Sequence, residues 1–327
     1  ACGFNPAFPL LIKQMADAPY HWTRFMRDVP AHITIFFFPD IPAFDPMFES
    51  IGRSFALVKT SWDILMDDKK LLVFPLLSGI VSLIVLLTFA LPLILTGSFM
   101  SNTGLGPVMF YGLLFVFYAV SYFVVIFFNT ALITCVNARL NGKEATIGDG
   151  LSNATRHIGS ILAWALISAT VGLILQVLED KAGFIGQIAA TLIGGAWGLV
   201  TFFVVPILIL EDKGVVDSVK DSVSLIKKTW GESIVGGGSI FLVFLVIGII
   251  AAVGIFAIWF VSQSFLLAIA LLIIVVAILA VVASAMQGIF VTALYTYART
   301  GTVPPSFNKD LIENAFMPKQ GSQQGNI

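Results

Sequence analysis

Residues 234–297 read IVGGGSIFLVFLVIGIIAAVGIFAIWFVSQSFLLAIALLIIVVAILAVVASAMQGIFVTALYTY, a stretch without a single Asp, Glu, Lys, Arg or His. A helix needs roughly 20 apolar residues to cross the hydrocarbon layer, and a charge left at its centre is costly. The stretch is too long for one span. Its only polar step is Ser262-Gln263-Ser264. It therefore predicts two long or tilted helices, Ile234 to Phe260 and Phe265 to Tyr297, joined by a tight hairpin.

Four more apolar runs precede it: about Leu71 to Leu95, Val108 to Val136, Ile158 to Val177 and Ile188 to Leu210. The expected fold class is all-α, a polytopic transmembrane bundle of about six spans. Composition agrees: 58% of residues are apolar and 11% are charged, against about a quarter charged in a soluble domain. The net charge of −1 gives no sign of nucleic-acid binding or of a polybasic lipid switch. Cys2 and Cys135 point to neither a disulfide nor a metal site.

Seventeen of the 18 basic residues fall on one side of this topology; Lys181 is the exception. By the positive-inside rule that side is cytoplasmic, and both termini lie there.

The stretch 50–62, SIGRSFALVKTSW, aligns without a gap with 218–230, SVKDSVSLIKKTW. Ser50, Ser54, Leu57, Lys59 and Trp62 match Ser218, Ser222, Leu225, Lys227 and Trp230. Ile51, Phe55, Val58 and Trp62 form one apolar helical stripe, as do Val219, Val223, Ile226 and Trp230. Both stretches read as interfacial helices, with Trp62, Trp230, Lys59 and Lys227 as anchors at the lipid surface. A weaker third copy covers Ile147 to Leu162. The chain then divides into three units, each an interfacial helix and a two-span hairpin, at about 47–140, 146–210 and 215–297. Residues 1–46 are an appendage that does not read as a signal peptide, and Met47 is itself a candidate initiator. Residues 300–327 read as a flexible polar tail.

No catalytic, cofactor or metal motif stands out. Asp149-Gly150 with Ala154 and Arg156 faintly matches a CDP-alcohol phosphotransferase signature, but the spacing is off by one and no further aspartate pair follows. Asp149 more simply opens a helix. His21, His32 and His157 lack partners at metal-ligand spacing. Polar residues within the spans are few: Asn129, Thr130, Asn137, Gln176, Gln187 and Gln287. Interhelical hydrogen bonds account for most. Asn129, with Thr130, is the candidate for an intramembrane polar contact to a substrate. Ala190, Gly194 and Gly198 make a small-residue stripe of the kind that packs helices. Pro92 and Pro206 should bend the first and fourth spans.

FALVKTSWDILMDDKKLLVFPLLSGI, FFNTALITCVNARLNGK, ILAWALISATVGLILQ, TFFVVPILILED and SVSLIKKTWGES together resemble a family of six-span prokaryotic membrane proteins of unknown function. The resemblance spans about 47–297. A more distant one is to the membrane domain of glycerophosphodiester phosphodiesterases, without the hydrolase. These likenesses imply the topology and a prokaryotic cytoplasmic membrane, and no catalytic residues. The expectation is a non-catalytic membrane protein without a cofactor. It organises lipid or serves as an accessory subunit of a larger complex, with lipids and other membrane subunits as partners. The alternative is a transporter or channel for a neutral or lipid-like solute, with Asn129 on its path.

Overall fold

The computed structural model describes residues 58–95, 107–228 and 230–301. The appendage 1–46, residues 50–57 of the 50–62 copy and the tail from 302 lie outside them. Every regular element among the described residues is helical. Helix α1 is described over 58–67. A 3₁₀ turn, Lys69–Leu72, leads into α2 (Val73–Leu95). Then follow α3 (Pro107–Leu140), α4 (Ile147–Arg156), α5 (Ile158–Val200), α6 (Val204–Leu210), α7 (Val215–Lys228), α8 (Trp230–Ser262) and α9 (Phe265–Thr300). Among the described residues, six stretches are long and apolar enough to cross a membrane. The chain is an all-α, multi-pass bundle. One short helix precedes each pair of spans: α1, α4 and α7.

Helix α5 carries the expected third span and most of the fourth in one continuous stretch of helical backbone. Its 43 residues would measure about 65 Å if straight. Yet the rings of Trp164 and Trp197 stack with centroids 5.7 Å apart. A Cβ on Gly194 would lie 3.5 Å from Leu175. The helix therefore folds back on itself, giving the spans Ile158–Asp180 and Gly186–Leu210. Helical backbone carries on through the turn.

The fourth span is interrupted before Pro206, not at it. Helicity stops at Val200 and resumes at Val204. Ser222 of α7 bridges the gap: its hydroxyl donates to the Val200 carbonyl (2.6 Å) and accepts from the Phe203 N–H (3.1 Å). The α8–α9 hairpin is as tight as expected. Gln263 takes φ 52°, and Ser264 caps α9 by accepting from the Leu267 N–H.

Helix α3 is the central element, in contact with α2, α4, α5, α6 and α9. The buried core collects toward the basic end of the bundle. Leu65, Leu71, Phe74, Ala131, Leu132, Val136, Ile161, Phe203, Ile207, Leu225 and Ile289 are all there. Gly150 lets α4 lie directly on α3, because a Cβ there would sit 2.7 Å from the Ala131 carbonyl and 2.9 Å from Cys135 Sγ.

Candidate functional site

Below the basic end, helices α2, α3, α6 and α9 enclose a cavity of about 300 Å³. Helix α2 contributes Pro75 and Ser78, and α3 contributes Phe128, Asn129 and Leu132. Phe202 in the interruption and Val205 and Pro206 of α6 form a third wall; Ser284, Gln287, Gly288 and Val291 of α9 form the fourth. Most of the wall is hydrocarbon. Four polar side chains interrupt it: Ser78, Asn129, Ser284 and Gln287. None is ionisable. The Asn129 and Gln287 amides make no hydrogen bond to another described residue. At a rise of about 1.5 Å per residue, Asn129 lies roughly 16 Å below the end of α3 at Leu140.

Gly288 sets the gap between α3 and α9 at this level. A Cβ there would fall 2.5 Å from Leu132 Cδ2 and 3.7 Å from Asn129 Oδ1. A larger residue would push the walls apart beside the amide.

Asn129 and Thr130 are adjacent in sequence but face different surroundings. Asn129 lines the cavity. Thr130 points into the core at 0% exposure, and its hydroxyl has no partner among the described residues. Gln176 forms the interhelical bond expected of it, accepting from the Tyr118 hydroxyl at 3.4 Å, and also donates to Asp180. Gln287 instead faces the cavity. The small-residue stripe divides: Ala190 is buried and Gly194 approaches Leu175, but Gly198 is exposed with nothing within 4 Å of a Cβ. Lys59, Trp62 and Lys227 are exposed at the basic end; the side chain of Trp230 lies outside the description.

Over the cavity sits an ionic clamp. Glu211 caps the end of α6. Arg299 grips its carboxylate with a two-pronged fork from α9, Nε to Oε1 at 2.6 Å and Nη2 to Oε2 at 2.5 Å. Such bidentate pairs add direction to charge. The same Arg299 Nη2 donates to Asp221 of α7 at 2.8 Å. Lys213 bridges Glu211 and Asp221, and the Tyr295 hydroxyl donates to Glu211. Burial alone would push the Glu211 carboxyl up. The hydrogen bonds from Arg299, Lys213 and Tyr295 outweigh it and hold the group at about 2. Hydrogen bonds from Lys213 and Arg299 likewise lower Asp221. The clamp thus ties together α6, α7 and α9, two of which form walls of the cavity.

A second joint links the middle unit to the loop after α6. The His157 ring, 9% exposed, meets the Asn153 carbonyl at 2.9 Å and the Asp212 carboxylate at 3.2 Å. Asp149 opens α4 in a capping box, where its carboxylate accepts from the Thr146 N–H at 2.8 Å and Thr146 Oγ1 accepts from the Asp149 N–H.

Sequence reasoning missed the clamp. Its one signal was that Glu211 and Arg299 each close a span at the same end, which places opposite charges at equal depth. Ser78 and Ser284 gave no signal beyond being small polar residues within apolar spans.

No curated protein matches the chain. Residues 108–304 match the sequence pattern of a family of unknown function, DUF6159. The matched region runs from the start of α3 to just past α9, so it holds the whole clamp and every cavity wall except α2. It covers more than half of the chain, which therefore belongs to the DUF6159 family.

Proposed function

We propose that this protein holds an uncharged, lipid-like molecule in the cavity between α2, α3, α6 and α9, as a non-catalytic lipid organiser or accessory subunit of a membrane complex. The observation that carries this reading is the pair of amides, Asn129 and Gln287, facing one intramembrane cavity with no hydrogen-bond partner among the described residues. A polar group kept from water without a hydrogen bond is costly, and in a span it would ordinarily turn to another helix. Here both amides turn to open space. A volume of about 300 Å³ lies at the small end of the range for ligand sites. An apolar wall with four uncharged polar groups suits a neutral molecule with a hydroxyl, ester or amide. The bias of 17 basic residues to one side supports both termini lying on the cytoplasmic face, and the resemblance to six-span prokaryotic proteins supports a prokaryotic cytoplasmic membrane.

The test is extraction of the full chain in mild detergent, followed by sizing and mass spectrometry of what accompanies it. A neutral lipid or solute should co-purify, and its occupancy should fall at least tenfold when Asn129→Leu and Gln287→Leu are combined, with helix content unchanged. Equal occupancy in that variant would overturn the assignment. A stoichiometric protein partner would support the accessory role. The alternative, passage rather than holding, predicts flux of the same molecule in proteoliposomes, lost in the double variant.

A further inference from the structure

A second recess lies on the flank of the bundle, where α1 meets the α8–α9 hairpin. It has a volume of about 460 Å³. Val58 and Trp62 of α1 form one side, Phe244 and Ile247 of α8 another, and Leu279 and Met286 of α9 the floor. Every lining residue is apolar except Lys59, which stands on the α1 side and is exposed. Lys59 makes no ion pair with a described residue. The α1 wall is anchored from behind by Ile64 and Leu65, which are 5% and 0% exposed in the core.

We infer that this groove binds one acyl chain of an anionic phospholipid, with the headgroup held by Lys59 and the rim of Trp62. Size argues for a single chain. A spanning helix is about 10–12 Å across and about 30 Å long, a body about five to seven times the groove's volume. Charge fixes the class of lipid. Lys59 lines the slot with its hydrocarbon stem while the side chain as a whole is exposed, and a slot walled entirely by hydrocarbon beside an exposed cation favours a ligand with an anionic head and an apolar tail. Position agrees, since Lys59 lies at the basic end, where headgroups and an amphipathic helix meet. Trp62, 43% exposed, supplies the amphipathic ring usual at that depth. This site is separate from the amide cavity, and its ligand is charged where that one is neutral.

The experiment reconstitutes the full chain in phosphatidylcholine vesicles and titrates in phospholipids brominated on the acyl chain. The part of the tryptophan emission lost in Trp62→Phe reports the groove. Brominated phosphatidylglycerol should quench that part at about a five-fold lower mole fraction than brominated phosphatidylcholine, the effect of one basic residue at an anionic lipid. Lys59→Gln should erase the preference, and Lys59→Arg should keep it. Val282→Phe, which fills the slot, should weaken quenching by both lipids. Equal quenching by the two lipids in the native protein would overturn the proposal. So would a preference that survives Lys59→Gln, or a groove that neither lipid reaches because another protein segment occupies it.

Discussion

The two ends of this bundle are built differently. At the basic end, short helices α4 and α7 pack against the spans, and the core there is close-packed and ion-paired. At the far end of the α8–α9 hairpin, side chains such as Ile250, Val253, Phe256, Phe265 and Ile273 are more than half exposed. They face lipid, which is as apolar as they are. In a membrane, burying hydrocarbon against hydrocarbon gains little by transfer, so stability must come from tight packing and satisfied polar groups. The lesson is that fixed structure concentrates where the chain supplies both, and the distal hairpin is held chiefly by its length and apolarity.

That contrast is open to direct tests by thermal unfolding in a defined detergent. The largest effect should come from the packed end. Ile207→Ala, at a fully buried site, should cost about 2–4 kcal/mol through the cavity it leaves. Ile250→Ala, 66% exposed, should stay within about 0.5 kcal/mol. Equal losses would erase the distinction between the two ends. Next comes Gly150→Ala, which forces a methyl against the Ala131 carbonyl and should cost about 1–3 kcal/mol. Gly254→Ala, with open space around its Cβ, should be neutral or slightly stabilising.

Arg299→Met should come third, at about 1–2 kcal/mol, because it leaves Glu211 and Asp221 facing each other with only Lys213 between them. The smallest and most diagnostic effect is that of pH. The Glu211 carboxyl, ordinarily near 4.5, is held at about 2 in the folded protein. Its charged form therefore stabilises the fold fully above about pH 4.5, and that share is lost as pH falls toward 2. Unfolding temperature should drop across that window in the native protein and drop less steeply in Arg299→Met. A drop of equal size in both would separate the acid sensitivity from the clamp.

The six spans were legible because apolar runs and charged loops alternate without ambiguity, and Ser262-Gln263-Ser264 was legible as a turn. So was the hairpin of the third and fourth spans. What was not legible is that helical backbone carries on through its turn: Glu179 to Gly186 contains no proline to end the helix, and Trp164 on Trp197 locks the two arms together. Of the candidate site, Asn129 stood out because a lone amide deep in a span is rare. Gln287 was read as one more interhelical bond, since sequence shows the polar group but not whether a neighbour faces it. The clamp joins residues up to 88 positions apart. Such pairings depend on which span ends are neighbours, and one chain's composition does not reveal that.

The break at 201–203 makes the shape of the fourth span depend on the unit that follows it. Ser222 of α7 satisfies the Val200 carbonyl and the Phe203 N–H, and a backbone polar group left bare at membrane depth is costly. The interruption is therefore completed by a side chain from outside the span, and the fourth span and α7 hold their final shapes together.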